Sequence, residues 1–445
     1  MSKPFIPSQI GMRFAAFHKK QTDKVKLSRS HSPPAIRTKK NYFDKKRRIY
    51  NAKIDKKYRA KSVQPRRMPR NEPIRYYRLN NWMEDLYPLI QNKPITEISI
   101  PGTHDSATYA ITGKSRAASC QKSAKITSLT DDPRQWTMTQ TKSIAQQLSI
   151  GCRFFDIRVS FEDKEGRFYT HHGLLAMSLP YELKAVRDFL DKHPFEFVII
   201  KIKPASTCGD FLRDLRTVIN TIIQPEHLLM KKTFSKYGEV VEKIPADYKM
   251  KNCAGKVMVI IDDRTFVEGF EDTPEFRSSS FMFGNTALHS AWPNARRYND
   301  LVQSVIDSQP DKANKQLYCL HFTFTPNAKF IISHMSSKNK VHDLVTLTQR
   351  LEEEKEEKTG LKSNWDYLIS LLKTRSDTKR DININVVDFL NGMKSHRVIL
   401  LNCNRNKAHP LPPPLSKERA TENQNHPAKA QKSSSSSFFF KKRKK

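Results

Sequence analysis

The sequence predicts an α/β protein: a distorted or incomplete TIM-type (β/α) barrel set between disordered basic N- and C-terminal arms. Two observations carry this expectation. Short β-branched and aromatic runs recur with helical stretches between them, and the extreme positive charge is confined to the chain ends. The net charge is +34, yet residues 1–75 hold 23 Lys and Arg against 4 Asp and Glu, and residues 406–445 hold 10 against 2. That leaves only +7 for the middle. Hydrophobic residues make up 37% of the chain, below the roughly 45–50% of an ordinary globular protein, so part of it adds nothing to a core.

Three segments follow. Residues 1–75 carry basic clusters (Lys45-Lys46-Arg47-Arg48, Arg66-Arg67) and Pro33-Pro34, without apolar periodicity. They are expected to form a disordered arm, solvated or in contact with anionic lipid or nucleic acid. Residues 406–445 form a low-complexity basic tail with Pro412-Pro413-Pro414, a serine run, Phe438-Phe439-Phe440 and Lys441-Lys442-Arg443-Lys444-Lys445. Between them, residues 76–405 hold the barrel. Its strand candidates are 97–100, 152–159, 167–171, 197–203, 256–261, 316–325, 382–389 and 397–401. Several are almost continuously apolar, as strands covered on both faces are. Helices are expected over 179–193, after the N-cap candidate Ser178, and over 211–223, 341–358 and 365–373.

Several classes are excluded. No run approaches the roughly 18 apolar residues of a membrane span, and the first residues lack the apolar stretch of a secretory signal. The six cysteines are scattered without a Cys-x-x-Cys pair, which argues against a zinc site or disulfide framework. A cytoplasmic protein as synthesised, peripherally associated with membranes, is the expectation; export without a cleaved signal stays open.

In such a barrel, polar residues just past the C-terminal strand ends are the catalytic candidates. They are Pro101-Gly102-Thr103-His104-Asp105-Ser106, Asp156-Ile157-Arg158, His171-His172-Gly173, and Asp388 inside the apolar Val386-Val387-Asp388-Phe389-Leu390. Singly, each has a plain structural explanation: a turn, a structural ion pair, an edge-facing carboxylate. Together they supply two imidazoles, carboxylates and a guanidinium at several strand mouths, a set too costly to bury unpaired.

The stretch from 98 to 203 resembles the catalytic X region of phosphatidylinositol-specific phospholipases C, particularly the bacterial type. The matching residues are those above, with Gly151-Cys152-Arg153-Phe154-Phe155, Leu174 and Asp191-Lys192-His193-Pro194-Phe195-Glu196 through Lys203. From 256 to 403 the resemblance thins, with Asn385-Val386-Val387-Asp388-Phe389 as its late aspartate strand. The resemblance implies attack of the inositol 2-hydroxyl on phosphorus, giving diacylglycerol and a 1,2-cyclic inositol phosphate. It makes His104 the base, oriented by Asp388, and His172 the acid, oriented by Asp105. Arg158 stands where calcium-dependent relatives carry an acidic residue. Its fixed charge does part of what calcium would do, so no metal or other cofactor is expected. Asp156 alone is too few carboxylates for calcium. Lys203 and Arg264 are implied inositol contacts. Where the bacterial enzymes set an aspartate and a tyrosine against the ring, Ala291-Trp292-Pro293-Asn294-Ala295 offers Trp292, which can stack on it. His171 is expected to be structural.

The expected partner is phosphatidylinositol, or a glycosylated or phosphorylated relative, at a membrane surface. Anionic lipid is a second partner through the arms, and a monomer is expected. Two other readings compete: a metal-dependent glycerophosphodiester phosphodiesterase, and a catalytically inactive inositide- or membrane-binding module. A nucleic-acid partner is disfavoured, since the charge sits in the tails.

Overall fold

A computed structural model describes residues 77–120, 134–205, 209–234, 239–262, 274–296, 298–307, 315–326, 344, 347, 348, 369 and 383–403. Both arms and Arg264 lie outside the described residues, as does most of the helices expected at 341–358 and 365–373.

The strands are β1 (Ile100–Thr103), β2 (Phe154–Glu162), β3 (Arg167–His172), β4 (Leu174–Ser178), β5 (Phe197–Pro204), β6 (Lys232–Phe234), β7 (Val240–Glu242), β8 (Lys256–Ile261), β9 (Met282–Phe283), β10 (Leu288–Ala291), β11 (Leu317–Phe322) and β12 (Ile384–Val387). Eight of them form one curled parallel path, β10-β11-β12-β1-β2-β5-β8-β9. Followed from β1 to β9 and on from β10 to β12, this path keeps chain order, as a (β/α) barrel does. The first and last strands of the path's chain order meet where β12 pairs with β1, Ile100 opposite Ile384 and Thr103 opposite Val387. Among the described residues no ladder joins β9 to β10, so the barrel is incomplete there.

Alternation along the strands builds two cores. Ile100, Phe154, Ile199, Met258, Cys319 and Val386 cluster inside the ring. Their neighbours Phe155, Ile200, Val259, Leu320 and Val387 pack outward against helices. These helices include α1 (Ile144–Ser149), α2 (Leu179–Lys192) and α3 (Gly209–Ile223), which present Leu148, Leu183, Val186, Leu215 and Ile219. Two-sided burial is the reason these strands read as unbroken apolar runs. At Gly102 a Cβ would lie 2.9 Å from Phe154 Cδ1. Only glycine lets β1 approach β2 this closely.

Three expectations are corrected. The run 397–401 is not a strand; it ends α4 (Gly392–Leu400), whose Lys394 N–H is capped by the Asn391 side chain at 2.9 Å. Four successive apolar residues fit either structure, and burial of Val398 and Ile399 on one helix face decided it. The first strand starts later than expected, because Glu97 sits in a 3₁₀ turn, Ile95–Glu97. Strands β4, β9 and β10 gave no separate signal. The run containing His172 is an antiparallel hairpin hung on β2 rather than a barrel strand.

Candidate active site

The C-terminal mouth of the ring gathers the polar residues. His104 and Asp105 leave β1, Asp156 and Arg158 lie on β2, Lys201 and Lys203 on β5, and Asp388 follows β12. Asp105 holds φ +40, a left-handed conformation that turns its carboxylate back into the mouth. The hairpin turn at Gly173, φ +75, brings His172 over the same opening.

His104 Nδ1 is 2.9 Å from Asp388 Oδ1. Its Nε2 is 3.1 Å from Asp105 Oδ2. That same oxygen lies 3.3 Å from His172 Nε2, so one carboxylate stands between both imidazoles. The other oxygen, Oδ1, accepts from Arg158 Nε at 2.8 Å. The two imidazole rings are 6.1 Å apart, centre to centre, and inclined by 69°. His172 Nδ1 donates to the Thr137 carbonyl at 2.7 Å, an acceptor that fixes the proton on that nitrogen. His104 Nε2 and Asp105 Oδ2 are buried without hydrogen-bond alignment, despite their closeness. Asp388 Oδ2 is orphaned as well.

These contacts set the proton balance. Burial pulls the proton affinity of His104 down, but Asp105 and Asp388 outweigh it and push its pKa up to about 10. Burial, with the charges of Arg158 and His104, holds His172 below its ordinary value in spite of Asp105. Burial works to raise Asp105, and Arg158, His104 and His172 together keep it well below the usual carboxylate range. Of the two imidazoles, His104 is therefore the more basic.

Trp292 lies against His104, ring centres 4.8 Å apart, and remains 42% exposed at the rim. Lys203 sits opposite Arg158 in the β2–β5 register. Burial and Arg158 lower its pKa. His171, pointing away from His172, is buried with Nε2 3.7 Å from Cys120 Sγ, and burial takes its pKa to about 4.

Several residues of the site were not found by sequence reasoning. Lys201 Nζ lies 3.1 Å from Asp156 and 3.3 Å from Asp262. The expectation of a single extra carboxylate at the mouth is thereby corrected, since Asp262 joins Asp156. His104, Asp105 and Asp156 offer ligand atoms within 4.8 Å of one another, a set able to hold a metal ion. Gln147 on α1 donates to the Ser106 carbonyl at 2.8 Å and accepts from Thr103 Oγ1 at 2.8 Å. Gln140 donates to the Val387 carbonyl at 2.9 Å and accepts from Leu390 N at 3.1 Å. These two amides clamp the loops bearing His104 and Asp388. In sequence they are ordinary glutamines in polar surroundings. Arg153 and Glu196, also in the resembling motifs, form a fully buried pair at 2.7 Å away from the histidines.

No family model matches this chain. It is 32% identical over 127 residues to human "PI-PLC X domain-containing protein 2", a match covering 27% of this chain and 42% of that protein. It is 31% identical over 132 residues to zebrafish (Danio rerio) "PI-PLC X domain-containing protein 3", covering 28% and 41%. The chain thus spans less than half the length of these curated relatives. Among solved structures, the phosphatidylinositol-specific phospholipase C from Listeria monocytogenes superposes with a TM-score of 0.48 at 19% identity, over 74% of this chain and 100% of that one.

Proposed function

We propose, for a chain that carries a segment of the phospholipase C X-region type, that it cleaves phosphatidylinositol or a close relative by metal-independent acid–base catalysis. The observation that carries this reading is the convergence of His104 Nε2, His172 Nε2 and Arg158 Nε on the single carboxylate of Asp105. The inositol 2-hydroxyl already neighbours phosphorus, so the attack is intramolecular and its entropy cost is small. His104 Nε2, which makes no hydrogen bond of its own, takes the hydroxyl proton as the new oxygen–phosphorus bond forms. His172 gives its proton to the diacylglycerol oxygen as that bond breaks. Arg158 offers its remaining N–H donors to the phosphoryl oxygens, where charge builds in the transition state.

The substrate completes the protonation. A phosphodiester anion in the mouth opposes the positive neighbours that hold His172 down, and raises its proton affinity. The working form has His104 neutral and His172 charged, against the order of their basicities; the pair carries one proton either way, so the chemistry needs only a redistribution. Asp105, 3.1 Å and 3.3 Å from the two Nε2 atoms, is in position to serve both. Trp292 and Lys203 line the path to the inositol ring, and Arg264 is proposed as a further ring contact.

The test is direct. The purified chain with phosphatidylinositol vesicles in EDTA is expected to release a cyclic inositol phosphate. Activity appearing only when a divalent ion is added defeats the metal-independent reading in favour of a metal-dependent diesterase. Vesicle binding without turnover leaves the binding module. The two arms are proposed as anionic-lipid contacts outside the barrel, and deletion of 1–75 is expected to weaken binding to anionic vesicles at low salt.

A further inference from the structure

We propose that Lys394 is a positioning residue for the catalytic pair: its buried ammonium holds the left-handed turn after Asp388 and so keeps that carboxylate against His104. The role in turnover rests on the lipid-cleavage reading, whereas the hold on His104 is a property of the chain without lipid.

Two local rules are broken close together. Phe389 sits at φ +49, a left-handed conformation that is unfavourable for a bulky side chain and persists only where the surroundings enforce it. Shortly after it, Lys394 lies in the first turn of α4, near the positive end of the helix dipole, where a cation is disfavoured. It is nevertheless only 3% exposed, although lysine is among the residues least often buried. Neither choice serves its own stretch of backbone, and conflicts of this kind concentrate at functional sites.

Both conflicts lead to Asp388. Lys394 Nζ donates to the Asp388 carbonyl at 3.1 Å and to the Phe389 carbonyl at 3.3 Å, so one cation spans the two peptides of the turn. The Phe389 N–H donates to the Thr139 carbonyl at 2.8 Å. The Phe389 side chain packs against the cluster of Trp136, Leu344 and Leu347. With the Gln140 clamp on Val387 and Leu390, the turn is held from several sides, and Asp388 Oδ1 emerges 2.9 Å from His104 Nδ1. Asp388 itself is 1% exposed. Burial works to raise its pKa and Asp105 adds to the rise, while His104 and Lys394 oppose it. The ammonium thus acts on Asp388 twice, through the carbonyl it binds and through its charge.

The experiment uses the full chain, and its first part needs no lipid. Against burial, Asp105 and Asp388 hold the pKa of His104 up at about 10. Removing a neighbouring positive charge would by itself raise that value further, whereas loosening Asp388 lowers it. Lys394→Met is expected to lower it by about 1 or more, read by NMR titration of the imidazole. A folded Lys394→Met in which the value is unchanged or raised overturns the proposal. Phe389→Gly, added to Lys394→Met, removes the cost of the left-handed turn and is expected to recover about half of the fall or more. No recovery also overturns it, since strain would not be what the ammonium holds. Should Lys394→Met fail to fold, Lys394→Gln is titrated in its place, with the same fall expected. With phosphatidylinositol vesicles, Lys394→Met is expected to lower kcat about 10–100-fold with KM nearly unchanged. Lys394→Met with Asp388→Asn is expected to be no slower than Asp388→Asn alone, because both act through one contact. Losses that multiply place the action of Lys394 elsewhere and overturn the proposal. A lowered His104 pKa in a chain that cleaves no lipid upholds the positioning and rejects the cleavage reading.

Discussion

His104 Nδ1 and Asp388 Oδ1 meet at 2.9 Å although 284 residues separate them in the chain. Pairing of the first and last strands of the ring, Thr103 opposite Val387, makes this contact unavoidable. A carboxylate there fixes the imidazole so that Nε2 lies beside Asp105, 3.1 Å from Oδ2.

Replacing either partner should divide their roles. His104→Ala is expected to lower kcat by about 10²–10⁴, the usual worth of an acid–base group. Asp388→Asn keeps the shape and removes the charge. It is expected to lower the pKa of His104 and reduce kcat with a smaller change in KM. Steady-state kinetics with NMR titration of the imidazoles checks both; an unshifted His104 would contradict the assignment.

The pH profile follows from the two imidazoles, with Asp105, Asp388 and Arg158 as the charges around them. One proton is shared by the pair above the depressed pKa of His172, which lies below 6.5. It is lost near the raised pKa of His104, about 10. Below this window no base remains, and above it no acid. We expect kcat/KM to be level between the limits and to fall on both sides. Loss of the acid limb in His172→Ala would assign it to that residue.

The same protons bear on stability. Native His104 keeps its proton from 6.5, where the unfolded chain releases it, up to about 10. Its contribution is therefore full below 6.5 and disappears as pH rises through 10. The melting temperature is expected to decline over that range, and to decline less in His104→Gln. Equal slopes would show that other groups govern the alkaline limb.

The buried pair Arg153–Glu196, 2.7 Å apart, supports structure rather than chemistry. The guanidinium also donates to the carbonyls of Leu148, Cys152 and Asn80 at 2.7 to 3.0 Å. Arg153→Met leaves Glu196 buried and uncompensated, and should cost about 3–5 kcal/mol in denaturant unfolding. Arg158→Lys, by contrast, should leave unfolding nearly unchanged and cost about 10²-fold in kcat, because an ammonium cannot match the guanidinium fork.

Gln147→Leu removes a clamp on Ser106 and Thr103 while keeping volume. We expect about 1–3 kcal/mol of destabilisation from the unpaired carbonyl and hydroxyl. A fall in kcat larger than this stability loss explains would identify Gln147 as a positioning residue for His104.

The sequence by itself determined the barrel and the residue types at its mouth. Strands buried on both faces must be apolar throughout, and charges interrupting them at their ends stand out; so His104, Asp105, Arg158 and Asp388 stood out in the local pattern, and His172 only as part of His171-His172-Gly173 at a turn. Tertiary structure decided the rest. A run such as 397–401 fits helix or strand until its neighbours choose, and it became the end of α4. Lys201 looked like one more polar residue between Ile200 and Ile202; only the β2–β5–β8 register placed it between Asp156 and Asp262. That Asp105 faces both histidines, and that His104 is the more basic of them, depends on distances of 3.1 Å and 3.3 Å between residues from different elements. Coulombic interactions at that range follow position in space, which a linear order of residues does not contain.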